Sequence, residues 1–104
     1  MEIKLSRDAQ KVQAKLYKAY LEKRKGGIGK SVAREISDVE IEKIFKDDNS
    51  DDVSDAINEL KRNSLVKTDI LGNVMLNDEL IINMENRFKD NLTDVLSFLS
   101  QFIP

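Results

Sequence analysis

The apolar pattern of this chain changes period twice, and that constrains its fold more than any other feature. Between Leu5 and Leu60, three segments show apolar residues returning every three or four positions, the period of helices buried on one side. Two short runs then follow, LVKTD (65–69) and NVMLN (73–77), joined through Ile70 to Asn73, and they read as strands. Helical spacing resumes at Asp78 and continues to the end. One short β interruption with no strand–helix alternation leaves no parallel sheet to build. The expectation is a mainly α fold with a small β-hairpin.

The helix boundaries can be placed more closely. Ser6 can cap a helix reaching about Lys25, with Leu5, Ala9, Val12, Leu16 and Tyr20 on one face. Asp8 in its first turn and Lys23, Arg24 and Lys25 in its last complement the helix dipole, and Gly26 and Gly27 end it. Ser37 and Glu40 form a capping box for a second helix over about 38–46, with Ile36 and Ile41 placed for a hydrophobic staple. Ser50 can cap a third over about 51–62, whose core face is Val53, Ala56, Ile57 and Leu60, and Asn63 is a left-handed stop. Ile70 to Asn73 form the hairpin turn, Gly-Asn being a known signal. Beyond Asp78, a stripe of Ile81, Met84, Phe88, Leu92, Val95, Leu99 and Phe102 belongs to one long helix or to two with a bend near Asp90 and Asn91. The whole chain, 1–104, reads as one domain with a C-terminal helical extension over about 78–103.

Composition narrows the chemistry. Apolar residues make up 40% and charged residues 35%, a globular rather than a disordered balance. Without cysteine there is no disulfide framework or thiolate metal site. Without histidine there is no usual metal ligand and no usual base near neutral pH. The opening MEIKLSRDAQ is too charged for a signal peptide, and no apolar run reaches the roughly 20 residues that span a bilayer, so a cytoplasmic location and no membrane partner are expected. The net charge of −2 conceals an asymmetry. Residues 1–36 carry ten Lys or Arg against four Asp or Glu, whereas residues 37–104 carry seven against fifteen.

Two motifs imitate ligand sites. KGGIGKS, Lys25 to Ser31, spells the variant phosphate-binding loop of the partition ATPases. That loop needs a buried strand to feed it, and here an amphipathic helix does so. The expected reading is a helix end followed by a turn, with no bound nucleotide. In DDNSDD, Asp47, Asn49 and Asp51 match the first ligands of an EF-hand, but Asp52 and Asn58 stand where glycine and glutamate are needed. That reads as a solvated acidic loop, with no metal and no cofactor. No carboxylate pair has an apolar setting that would shift its pKa, Ser31 has no visible base, and Tyr17 and Tyr20 read as core edges. The expected function is not enzymatic.

The order of three helices, a hairpin and a further helix resembles the winged-helix domain, a variant of the helix-turn-helix, over residues 6–76. INELKRNSLVKTD looks like its junction of recognition helix, stop and first wing strand, and LNDELIINMENRF like the helix that often follows the wing. The whole chain is similar to small uncharacterised winged-helix proteins of Gram-positive bacteria and their phages. Asn63 departs from the more usual glycine, and the wing is short. The resemblance implies a three-helix core plus wing whose third helix enters the DNA major groove.

Two functions follow from this resemblance. One is a DNA-binding transcriptional regulator touching DNA with Lys23, Arg24, Lys25, Lys30, Arg34, Asn58, Arg62 and Lys67. Against it, Asp51 and Asp55 also lie on the exposed face of the third helix, where phosphates would come near. The other is a protein–protein interaction or dimerisation module without DNA affinity. A homodimer is expected through residues 92–103, with Leu92, Val95, Leu96, Leu99 and Phe102 at the interface, because the C-terminal stripe exceeds what one small domain covers. Ile82, Phe98 and Ile103 widen that apolar surface.

Overall fold

A computed structural model describes residues 4–102. The longest helix, α1 (Arg7–Lys25), starts where the Ser6 hydroxyl accepts the amide of Ala9 at 3.1 Å. A short helix α2 (Lys30–Ala33) leads into strand β1 (Glu35–Ile36) and helix α3 (Asp38–Ile44). Helix α4 (Ser50–Arg62), strands β2 (Val66–Thr68) and β3 (Val74–Leu76), and helices α5 (Asp78–Phe88) and α6 (Leu92–Leu99) follow, with a 3-10 turn over Ser100–Phe102. The fold is mainly helical with a small antiparallel sheet.

Two elements lie outside the sequence expectation. Both α2 and β1 are too short to carry a period, and β1 turns the expected hairpin into a three-stranded sheet of order β1-β3-β2. Its register pairs Glu35 with Met75 and Ile36 with Val74, while β2 pairs Lys67 with Met75 and Val66 with Leu76. Paired residues share a face. Ile36, Val66, Val74 and Leu76 are buried, and Glu35, Lys67 and Met75 face outward.

The core is built around α1. Its expected face is buried at Ala9, Val12, Leu16 and Tyr20, and so is Tyr17, which lies at the centre rather than at an edge. The Tyr17 ring stacks between Tyr20 at 5.9 Å and Phe88 at 6.5 Å between centroids. Its hydroxyl donates to Asp90 Oδ1 at 3.2 Å. Helix α4 contributes Val53, Ala56 and Leu60, the sheet its inner face, and α5 Leu80, Ile81, Met84 and Phe88. Fully burying an aliphatic or aromatic side chain contributes about 1.5–3 kcal/mol, so this face of α1 carries much of the stability.

Local details correct three expectations. Asn49, not Ser50, caps α4, its side chain accepting the amides of Asp51 and Asp52. The left-handed stop after α4 is Ser64 (φ 60), while Asn63 stays right-handed and donates its side-chain amide to the Glu59 carbonyl. The second expected helix ends at Ile44, two residues early. The C-terminal stripe is two helices, broken by left-handed Lys89 and Asp90, as the second of its two readings had it. Ile103 lies outside the described residues. No helix among them is long and apolar enough to cross a membrane.

Candidate functional site

The basic positions that the sequence gathers between the first two expected helices do not all come together in space. Lys23 pairs with Glu40 at 2.6 Å and donates to the Glu35 carbonyl at 2.8 Å, tying the end of α1 to β1 and α3. Arg34 donates to the Leu76 carbonyl at 2.9 Å and pairs with Asp78, joining the end of α2 to the start of α5. That partner holds the Asp78 carboxyl below its ordinary value. Arg24 reaches back to the Ile28 carbonyl at 3.2 Å. Arg24, Lys25 and Lys30 line one groove of about 400 Å³, where Glu85 and Asp90 oppose their charge. Asn58 lies in a second groove between α3, α4 and the hairpin turn, and Lys67 in a third over the sheet. Asn58, Arg62 and Lys67 are exposed, but so are Asp51 and Asp55 beside them on α4.

The two imitation motifs acquire structural roles. Gly27 takes a left-handed backbone (φ 90), and its amide and that of Ile28 bond the carbonyls of Arg24 and Lys23. This double bond pattern is a Schellman motif, which spends on the end of α1 the amides that a phosphate loop would turn toward its ligand. In the acidic stretch, Asn49 is committed to capping α4. Asp48 accepts from Lys11 and from Lys15, the latter at 2.7 Å. Burial alone would raise the Asp48 carboxyl, but the hydrogen bonds from the two lysines outweigh it and leave it below its ordinary value.

The candidate interface residues divide. Val95 is fully buried within the chain's own core, and Leu92, Leu99, Phe98 and Phe102 are half-buried there. Leu96 on α6 and Ile82 on α5 are exposed. Arg87 sits 4.2 Å from the Phe98 ring centroid and 5.2 Å from that of Phe88. Arg7 stacks on Phe102 and donates to the Gln101 carbonyl at 3.0 Å. These contacts fasten α6 across α1 and use most of the stripe inside the molecule.

One concavity among the described residues was missed by sequence reasoning. A groove of about 630 Å³ opens over the outer face of the sheet, walled by Ile28 and Val32 and floored by Met75. Those three side chains are 39%, 59% and 38% exposed, high values for apolar groups. Glu35 and Lys67 flank Met75 across the strands. At one end Asp69 and Asn73 bracket the hairpin tip, where Ile70 and Leu71 are 101% and 71% exposed. The tip is tied by hydrogen bonds: Asp69 accepts from Asn73 through both side chain and amide and from the Leu71 amide, bonds that keep its carboxyl below its ordinary value. Asn73 Oδ1 in turn accepts the Asp38 amide at 2.9 Å, which anchors the tip to α3. The signal for this surface was present in Ile28 and Val32, apolar residues outside every helical stripe. It was also present in Met75, whose neighbours Val74 and Leu76 both point inward.

Comparison with known proteins returned no matching family model, no matching curated protein and no matching solved structure.

Proposed function

We propose that this chain is a winged-helix domain that serves as a protein-interaction module, working through the outer face of its sheet. The order of α1, α3, α4, the β2–β3 hairpin and α5 supports the winged-helix reading. The observation that carries the functional reading is the placement of apolar surface. Among the described residues eight large apolar side chains are exposed. Six of them, Ile28, Val32, Val39, Ile70, Leu71 and Met75, belong to the groove, the hairpin tip or the adjoining start of α3. Apolar surface gathered in this way is the usual mark of a partner site. The alternative, DNA binding, is favoured by the exposure of Asn58, Arg62 and Lys67. It is weakened because Lys23 and Arg34 are spent inside the molecule and Asp51, Asp52 and Asp55 face outward on α4. Phosphate neutralisation supplies most non-specific affinity for DNA, and these pairings and carboxylates reduce it on the face that α4 would present.

Fluorescence anisotropy with labelled random duplex tests this reading at about 50 mM salt, where phosphate contacts are strong. The expected result is no saturable binding. Saturable binding that falls steeply with salt and is lost in Arg62→Ala would overturn it and establish the DNA reading.

A further inference from the structure

The groove and the hairpin tip lie side by side, and the charges around them are arranged in a way that selects an occupant. Register places Glu35, Met75 and Lys67 in one row across β1, β3 and β2, all on the outer face. Neighbouring strands are about 5 Å apart, so a carboxylate and an ammonium stand at similar distances on either side of the exposed Met75. Neither charge has an ion-pair partner among the described residues, whereas nearby Lys23 and Glu40 pair with each other. A row reading negative, apolar, positive is complementary to itself when turned about a two-fold axis. If that axis lies in the interface, parallel to the strands and over Met75, it brings each Glu35 opposite the other copy's Lys67. It also brings the two Met75 side chains together. Because the axis keeps β3 running in the same direction in both copies, the two hairpin tips meet at one end, where their exposed Ile70 and Leu71 cover each other.

We propose that the outer sheet face is a homodimer surface in which Glu35 of each copy pairs with Lys67 of the partner subunit around a centre formed by Met75. This rests on the interaction reading above and identifies its partner as a second copy of the chain. Two-fold interfaces use the same patch on both subunits and require it to be self-complementary. Here the patch offers an exposed apolar centre, Met75, with a negative charge on one side and a positive charge on the other. A heterologous partner would need no such symmetry.

Sedimentation equilibrium of the full chain, without nucleic acid, from about 10 μM to about 1 mM tests the proposal. The wild type is expected to dimerise with rising concentration. Glu35→Lys and Lys67→Glu each place like charges together at both symmetric contacts, and each should weaken self-association at least about tenfold. An equimolar mixture of these two variants should associate where neither does alone, and the double variant should regain the wild-type constant. Both positions are exposed, and thermal melts followed by circular dichroism check that the variants fold. A wild type that stays monomeric throughout would overturn the proposal. So would a dimer indifferent to these changes but lost in Leu96→Asp, which would assign self-association to α6. Either result leaves the interaction reading standing with another partner or face, whereas the DNA titration decides that reading separately.

Discussion

Asp48 shows how a single residue can organise the junction between two helices. It follows α3 and precedes α4, yet its carboxylate accepts from two lysines of α1 one turn apart. Without it Lys11 and Lys15 become an unrelieved like-charge pair at i,i+4 spacing. Asp48→Asn is expected to lower stability by about 1–2 kcal/mol at neutral pH, the size of a charge-assisted contact that is partly open to water. The pH dependence has a definite sign. The folded carboxyl titrates below its ordinary value of 3.8, so its contribution is complete above that value and is lost as pH falls through the lower folded value. Urea unfolding at a series of pH values should therefore show the gap between wild type and Asp48→Asn closing below pH 3.8. A gap independent of pH would assign the loss to packing. Tyr17 gives a second test at this scale. Burial, reinforced by the neighbouring Asp90 charge, pushes its phenol above the ordinary range. Tyr17→Phe keeps the ring stack and removes one hydrogen bond to Asp90, so the urea midpoint should fall by the equivalent of about 1 kcal/mol.

The elements are defined as much by their ends as by their faces. Both α1 and α4 close in Schellman motifs. In α4 the Leu65 amide bonds the Leu60 carbonyl and the Ser64 amide bonds that of Lys61. Each motif requires one left-handed residue, supplied by Gly27 after α1 and by Ser64 after α4. A side chain in that conformation costs about 1–2 kcal/mol, against which glycine loses more backbone entropy on folding. Ser64→Gly is therefore expected to stabilise the protein by about 0.5–1 kcal/mol, and Gly27→Ala to destabilise it by about 1 kcal/mol. Shifts of the urea midpoint in opposite directions, with unchanged slope, would bear this out. The motif also explains why the sequence pointed to the wrong residue at α4. Asn63 is a familiar left-handed residue, but its amide is more useful here bonding the Glu59 carbonyl, and the reversal falls one position later.

For the molecule as a whole, the decisive packing is α6 across α1. Val95 is fully buried, Phe98 meets the Phe88 ring at 5.7 Å, and Arg87 covers both rings. The C-terminal segment thus contributes Val95 and part of its apolar stripe to the core of the molecule. A chain truncated after Asp90 would expose the Phe88 and Tyr17 stack and much of α1. It is expected to lose cooperative thermal unfolding and its near-ultraviolet circular dichroism from tyrosine while binding a hydrophobic dye. A truncated chain that still melts cooperatively would show that α6 is dispensable to the fold and would return the stripe to a role between molecules. The same packing leaves the sheet face, rather than α6, as the larger apolar surface free for a partner.

What the sequence determined by itself was carried by local periodicity and by much of the end chemistry, the cap and stop of α4 excepted. The stripe Ala9, Val12, Leu16 and Tyr20, the capping of α3 by Ser37, the two hairpin strands and the helical ending of the glycine turn all follow from residues within a few positions of one another. Tertiary structure decided what depends on partners far along the chain. The two-residue strand β1 exists because β3 pairs with it, and no pattern can reside in Glu35 and Ile36 alone. Lys23 and Arg34 look like free cations until folding brings Glu40 and Asp78 beside them. The C-terminal stripe reads equally as core or as interface until α1 is seen to cover Val95. The row of Glu35, Met75 and Lys67 joins three segments of the chain, and only strand pairing sets those side chains next to one another.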